Sequence, residues 1–168
     1  MSKTTDNLKT AFAGESQANR KYLAFAEKAE KDGFSQVAKL FRAAAHAETI
    51  HAFNHFKALD GIKTTAENLK EAMGGEHYES DVMYPPMVAE AEAEGDKRAL
   101  RSFTYAWEVE KVHEQLYKDA LGAVSQGTSE AEEYDYYVCP FCGYTHARNA
   151  PDKCPVCGAP AEKFERIA

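Results

Sequence analysis

The sequence predicts an antiparallel bundle of four long helices followed by a small cysteine-ligated domain, and three observations carry that reading. As far as about residue 126 the chain is rich in Ala, Glu, Lys and Leu, with apolar residues at the alternating three- and four-residue spacing of a helical core stripe. This stretch also repeats itself: "AGESQANRKY" leading to "EKDG" (13–33) resembles "GGEHYESDVMY" leading to "EAEG" (74–95), and each copy is followed by a helix carrying ExxH. Two similar helical hairpins packed together make a four-helix bundle. Finally, all four cysteines, Cys139, Cys142, Cys154 and Cys157, fall in the last thirty residues as two CxxC pairs.

At 168 residues the chain is long enough for one good core and a small appendage. Its formal net charge of -7 excludes a sequence-independent nucleic-acid binder, which needs surplus Lys and Arg to displace counterions from phosphates. No apolar run approaches the roughly 20 residues of a membrane span, and "MSKTTDNLKT" at the N-terminus has no hydrophobic stretch like that of a signal peptide. The expected compartment is the cytoplasm. In that reducing setting clustered cysteines read as metal ligands before disulfides.

The elements follow in order. "DGFS" (32–35) ends the first helix and offers Ser35 as N-cap of the second; "LDGIKTTAEN" (59–68) ends the second and supplies Thr65 as a cap for the third. "AEGDKRA" (93–99) separates the third from the fourth. Within the repeat, Glu15 lies thirty-three positions before Glu48, whereas Glu76 lies thirty-four before Glu110. The extra residue falls between Glu76 and Gly95, where "YPP" (84–86) also interrupts the helix, so an irregular third helix, with the insertion absorbed as a π-bulge, is expected there. The resulting division is 1–126 for the helical bundle, 127–135 for a small, polar and acidic linker, and 136–168 for the cysteine domain.

ExxH by itself arises readily by chance. Periodicity gives it weight. The second helix has the inward stripe Val37, Phe41, Ala44, Glu48, His51, His55, and the fourth has Phe103, Ala106, Glu110, His113, Tyr117. The first has Leu8, Phe12, Glu15, Asn19, Tyr22, Ala26, and the third Leu69, Met73, Glu76, Glu79, Met83. Each stripe is apolar except at one level, where it turns acidic. Uncompensated burial of ionised carboxylates costs several kcal/mol per ion, more than a domain stable by ~5–15 kcal/mol can carry. No Lys or Arg occupies these seam positions, so the cations are metals. A Glu from each of two helices, with a Glu and a His one turn apart on each of the other two, is the ligand pattern of a carboxylate-bridged dimetal site. Oxygen and imidazole donors without thiolate suit iron or manganese. Glu79 is asymmetric, since Ala18 stands at its counterpart position, and a seventh ligand on one side makes the two metals inequivalent. His46, His55, His77 and His146 lack repeat partners and read as structural or surface residues.

"CPFCGY" and "CPVCGAP" are two CxxCG turns separated by eleven residues. In each the glycine lets the chain reverse so that backbone amides point at sulfur, and four thiolates close a tetrahedral metal site, which iron or zinc can fill. Tyr136, Tyr137, Phe141, Tyr144 and Phe164 supply an aromatic surrounding, fit both for a redox site and for the core of a thirty-residue domain.

Together these residues resemble the rubrerythrins, a family in which a ferritin-like diiron bundle precedes a rubredoxin-like domain. The likeness spans essentially the whole chain, through "AFAGES" with Glu15, "AETIH" with Glu48 and His51, "GGEHYE" with Glu76 and Glu79, "EVEKVH" with Glu110 and His113, and both knuckles. The spacing between the knuckles is shorter than in free-standing rubredoxins, as is usual in this family. The resemblance implies two oxo- and carboxylate-bridged irons in the bundle and one iron in the Cys₄ site, with zinc as a substitute there. It implies reduction of hydrogen peroxide to water as protection against oxidative stress, with electrons from a NAD(P)H-linked reductase, directly or through a separate rubredoxin. Tyr22 and Tyr84 match tyrosines beside the diiron site that hydrogen-bond near peroxide or supply protons. In the family one iron exchanges a carboxylate for a histidine on reduction, which here means Glu79 giving way to His51. The resemblance also implies a homodimer, often with helices exchanged between subunits and the rubredoxin-like domain of one chain serving the diiron site of the other.

Two rivals share parts of this pattern. Ferritin-like iron storage uses the same bundle, but needs no Cys₄ domain for electron uptake. A zinc-binding adaptor whose bundle merely dimerises would leave the acidic level of the seam without a cation.

Overall fold

The computed structural model describes residues 2–127 and 133–168; part of the expected linker, 128–132, lies outside them. The helices are α1 (Lys3–Lys31), α2 (Ser35–Ala58), α3 (Thr65–Tyr78), α4 (Tyr84–Glu94) and α5 (Lys97–Ser125), and one π-helical turn, Glu79–Met83, joins α3 directly to α4. The chain divides into two compact units, one ending at Lys63 and the other beginning at Thr64. Among the described residues no helix is long and apolar enough to cross a membrane.

In the first unit α1 and α2 form a hairpin. Ala38, Ala45 and Ala52, spaced by seven, are buried along α2, and Asn19, Ala26 and Ala29 along α1. Such small side chains let two helix backbones approach closely. Asn19 fastens them, donating from Nδ2 to the Ala45 carbonyl (2.7 Å) and to Thr49 Oγ1 (2.8 Å). The expected inward stripe of α2 is therefore not the hairpin contact: Val37 is 43% exposed while Ala38 beside it is 0%. The alanine row and the Phe41–Glu48 stripe are adjacent faces of one helix.

Two expected caps shift by one residue. Ser35 is the first residue of α2, with Phe34 at the cap position, and its hydroxyl donates to Glu30 Oε1 at 3.4 Å. Thr64 rather than Thr65 caps α3, because only Thr64 has a glutamate three residues on: Glu67 N–H donates to Thr64 Oγ1, and Thr64 N–H donates to Glu67 Oε2.

In the second unit the α3 to α4 rod packs along α5. The extra residue counted in the sequence is absorbed by the π turn, within the expected interval. Its register explains how the turn is held. In an i to i+5 pattern the Ser80 carbonyl looks to residue 85, and Pro85 has no N–H to give. Trp107 supplies the missing donor, its indole Nε1 donating to Ser80 O at 2.6 Å. Gly95, at φ +72°, then ends α4 in a left-handed conformation, and Asp96 Oδ1 caps α5 by accepting the Arg98 and Ala99 N–H groups at 3.0 Å each.

The cysteine domain is a three-stranded antiparallel sheet in the order β2 (Thr145–Ala147), β1 (Tyr136–Val138), β3 (Glu165–Ile167). Its core is Cys139, Cys154 and Ala159, with Tyr144 and Phe164 packed against them. Phe141, expected among these aromatics, is 62% exposed instead; it lies within the first knuckle, between Cys139 and Cys142, and not on a strand. The domain leans on α5 through Gly143, whose φ of +83° suits glycine and where a Cβ would lie 3.8 Å from buried Val109.

Replacing Trp107 by Phe strands the Ser80 carbonyl in the π turn. Stability to urea is expected to fall by about 1–3 kcal/mol, whereas an unchanged midpoint would show that the indole hydrogen bond does not hold the turn.

Candidate metal centres

Helix geometry places residues three apart on one face, and both ExxH pairs use it in the same way. His51 Nδ1 lies 2.8 Å from Glu48 Oε2, and His113 Nδ1 lies 2.8 Å from Glu110 Oε2. Each histidine also reaches the glutamate of the helix packed beside it: Glu15 Oε1 at 3.8 Å from His51 Nδ1, and Glu76 Oε1 at 4.0 Å from His113 Nδ1. Glu15, Glu48 and His51 thus form one triad within the first unit, and Glu76, Glu110 and His113 a matching one within the second, the donor atoms of each lying within 4.8 Å of one another. Two copies of a repeated sequence have folded into the same constellation.

The second triad is electrostatically unsatisfied without a cation. Burial, reinforced by the charge of Glu110 and a hydrogen bond with it, pushes the Glu76 carboxyl up to about 7. Burial likewise raises Glu110, with the nearby charge of Glu79 adding to it. Glu79 sits on the π turn, close enough to act on both carboxyls and on Tyr84. The phenols of Tyr84 and Tyr117 are raised by burial and then by these carboxylates, so both stay protonated and able to donate. Tyr22 lies among aromatics, its ring 6.4 Å from Phe25 and 6.2 Å from Phe41.

The far side of His113 fixes how its ring is turned. Thr145 Oγ1 donates its proton to the Gly143 carbonyl (3.1 Å), and so accepts from His113 Nε2–H (2.9 Å). Nδ1 is left turned toward Glu110 and Glu76. With Nε2 engaged by Thr145, Nδ1 is the nitrogen available to a metal ion held by these carboxylates.

In the cysteine domain Cys139 Sγ lies 3.5 Å from Cys157 Sγ, and Cys142 Sγ 3.5 Å from Cys154 Sγ. A tetrahedron with metal–sulfur bonds of about 2.3 Å has edges of roughly 3.8 Å, so the four thiols fit a single ion after a slight expansion. Burial pushes the Cys142 and Cys157 thiols up. Cys154 goes the other way, down to about 7: against the push of burial, the Cys157 and Val156 N–H groups and the neighbouring thiols stabilise its thiolate. These are the amides that the CxxCG turn was expected to aim at sulfur.

The rubrerythrin family model matches residues 6–121, and the model for the rubredoxin-like domain of rubrerythrins matches 137–165. The chain belongs to the rubrerythrin family. It is 35% identical to rubrerythrin-2 of Clostridium acetobutylicum over 96% of this chain and 95% of that protein, and 38% identical to a rubrerythrin of Porphyromonas gingivalis over 98% and 90%. The solved structure of nigerythrin in a mixed-valence state superposes with a TM-score of 0.58 at 34% identity, covering 99% of this chain and 88% of that one. The fold class is accordingly a ferritin-like helical bundle with a small rubredoxin-like Cys₄ domain. Rubrerythrins are in general diiron oxidoreductases of the peroxidase type that protect against oxidative stress, and the donors found here, two carboxylate–histidine triads and four thiols, are those of rubrerythrin iron.

Two polar groups around the second triad escaped the sequence reading as site residues. Tyr117 stands in the stripe of α5, one turn beyond His113, and that periodicity was the available signal. Thr145 had none, because it meets His113 only through the packing of the cysteine domain on α5.

Two outcomes are expected. A carboxyl raised in the folded state stabilises the fold fully below its unfolded value near 4.5, and that contribution is lost as pH rises through about 7. Metal-free protein is therefore expected to melt at progressively lower temperature between pH 5 and pH 8, and metal-loaded protein to lose this dependence. Thr145→Val is expected to weaken metal binding at the carboxylate sites by about 10–100-fold, as loss of a group orienting a ligand does, with Thr145→Ser close to the parent in a metal titration.

Proposed function

We propose that this chain reduces hydrogen peroxide to water, taking up electrons at its Cys₄ site from a NAD(P)H-linked reductase or a separate rubredoxin. Glu15, Glu48, His51, Glu76, Glu79, Glu110 and His113 are assigned to the diiron centre and Cys139, Cys142, Cys154 and Cys157 to the single iron, with residues 1–126 as the bundle, 127–135 as the linker and 136–168 as the rubredoxin-like domain. The observation that carries the reading is the link between the two kinds of site: His113 donates to Thr145, and Thr145 to the carbonyl of Gly143, the residue after Cys142. Such a connection is of use to electron transfer and of none to iron storage or to a zinc adaptor. The nigerythrin structures in mixed-valence, partially reduced and fully reduced, all-ferrous states add support from the family's redox chemistry.

When bound, iron in the Cys₄ site exchanges one electron at a time, and the iron pair among the carboxylates offers an open position and two reducing equivalents. The rest falls to side chains. Peroxide reduction consumes two electrons and two protons and releases two waters. Tyr84, kept protonated by burial and by the charges of Glu79, Glu110 and Glu76, donates a hydrogen bond toward the reacting oxygen, and Tyr22 is assigned the same role beside the first triad. His113, held by Thr145, keeps Nδ1 on the metal side throughout. Glu79, on a π turn that interrupts the regular helix, would be the seventh ligand to a bound iron pair, with His51 as the histidine that could take its place. The exposed Phe34, Val37, Leu40 and Phe53 favour a homodimer, and the thiol ligand set favours the cytoplasm.

Cys154→Ser tests the route. Reductase-linked peroxide turnover is expected to be lost, while chemically reduced variant still consumes peroxide in a single turnover. Full NAD(P)H-dependent activity in that variant would rule out the Cys₄ site as the point of electron uptake.

A further inference from the structure

The second unit contains a cavity to which the peroxide chemistry gives no use. It lies between the N-terminal half of α5 and the second cysteine knuckle, has a volume of about 700 Å³, and is lined chiefly by Arg98, Arg101, Tyr105, Phe141, Cys157 and Gly158, with no carboxylate in its wall. Lys153 adds a third cation at the rim, its side chain 3.2 Å from where a Cβ on Gly158 would sit. Arg98 and Arg101 are exposed and form no ion pair among the described residues. The Phe141 ring beside them is 62% exposed. On a chain of net charge -7, three cations gathered around an aromatic ring and one thiol ligand form a local surface of opposite sign.

We infer that this cavity docks an acidic one-electron carrier protein, which passes its electron through the Cys157 side of the wall. The inference rests on the proposed uptake of electrons at the Cys₄ site and names where, and from what kind of partner, uptake occurs. Charge complementarity selects an acidic surface, and steers the encounter more than it tightens the complex. A basic rim around one exposed aromatic suits the small, transient interface of electron-transfer pairs. Redox stoichiometry selects a one-electron carrier over a nicotinamide, since a hydride brings two electrons at once and a single Cys₄ iron takes one. In each transfer the carrier is oxidised by one electron and the site goes from ferric to ferrous, with no bond made or broken; two transfers supply one peroxide.

The test uses the full chain loaded with zinc and, as probe, an acidic rubredoxin also in its zinc form, so that binding is read by amide chemical shifts with no redox chemistry involved. Shifts are expected at Arg98 to Tyr105, Phe141 and Lys153 to Ala159, weakening with salt. The double variant Arg98→Glu/Arg101→Glu is expected to bind about tenfold more weakly or worse. In the iron-loaded forms the variant's Cys₄ site is expected to be reduced correspondingly more slowly by reduced rubredoxin, but at the parent rate by a small neutral reductant. Parent-like binding and reduction in the variant would overturn the inference, as would shifts confined to another surface, or shifts at the cavity from NADH but not from rubredoxin. The underlying reading fails separately: if the carrier docks here and reduces the Cys₄ site but peroxide is not consumed, the docking surface stands and the peroxidase assignment falls.

Discussion

The structure depends on carboxylates set into helix faces that are otherwise apolar. Glu76 and Glu110, half-buried and hydrogen-bonded to each other, hold protons more tightly than free carboxyls because burial penalises their charge, and His113 beside them offsets only part of it. A protein can meet that constraint with protons or with metal. Protons satisfy it progressively less as pH rises through about 7; a cation does so above that, and with Nε2 engaged by Thr145 it is Nδ1 of His113 that faces the carboxyls where such a cation would sit. Metal binding is therefore part of what makes the fold tolerable as well as part of what it does.

Much of the remaining architecture serves that level of the helices. The i,i+3 spacing puts Glu and His side by side on α2 and again on α5, while the π turn shifts the register of the third rod by one residue and brings Glu79 within electrostatic reach of Glu76 and Glu110. Keeping such a turn in place requires an answer to the carbonyl that Pro85 leaves without a donor, and Trp107 on α5 provides it. The cysteine domain docks on the same helix, where glycine at 143 allows close approach to Val109 and Thr145 completes the second triad from outside. One helix thus carries the Glu110 and His113 pair of the second triad, the latch of the π turn and the seat of the Cys₄ domain.

The two carboxylate–histidine triads and the cluster of four thiols were legible in the sequence because each announces itself by spacing: ExxH twice, a matching Glu one helix earlier in each repeat, and two CxxCG knuckles. The one-residue difference between repeats likewise foretold the π turn, since a helix can absorb an extra residue in few other ways. Local caps were read less sharply, Thr65 for Thr64 and Ser35 for Phe34, because neighbouring hydroxyl residues look alike until the glutamate that completes a capping box is placed. What could not be read were contacts between segments distant in sequence. Asn19 reaching Ala45, Trp107 reaching Ser80, and Thr145 reaching His113 depend on how surfaces pack, and no periodicity encodes them. Phe141 shows the reverse failing: an aromatic in a small domain reads as core, yet its position within the first knuckle leaves it in solvent.

The central claim is that both kinds of site are filled by iron, the carboxylate triads with a coupled pair and the cysteines with a single ion. Mössbauer spectroscopy of protein isolated with its native metal addresses this most directly. Absorption from oxygen- and nitrogen-ligated, spin-coupled ferric iron alongside thiolate-ligated iron, in an area ratio of about two to one, is the expected result. A spectrum showing thiolate-ligated iron alone, in a protein whose carboxylates remain metal-free at neutral pH, would contradict it.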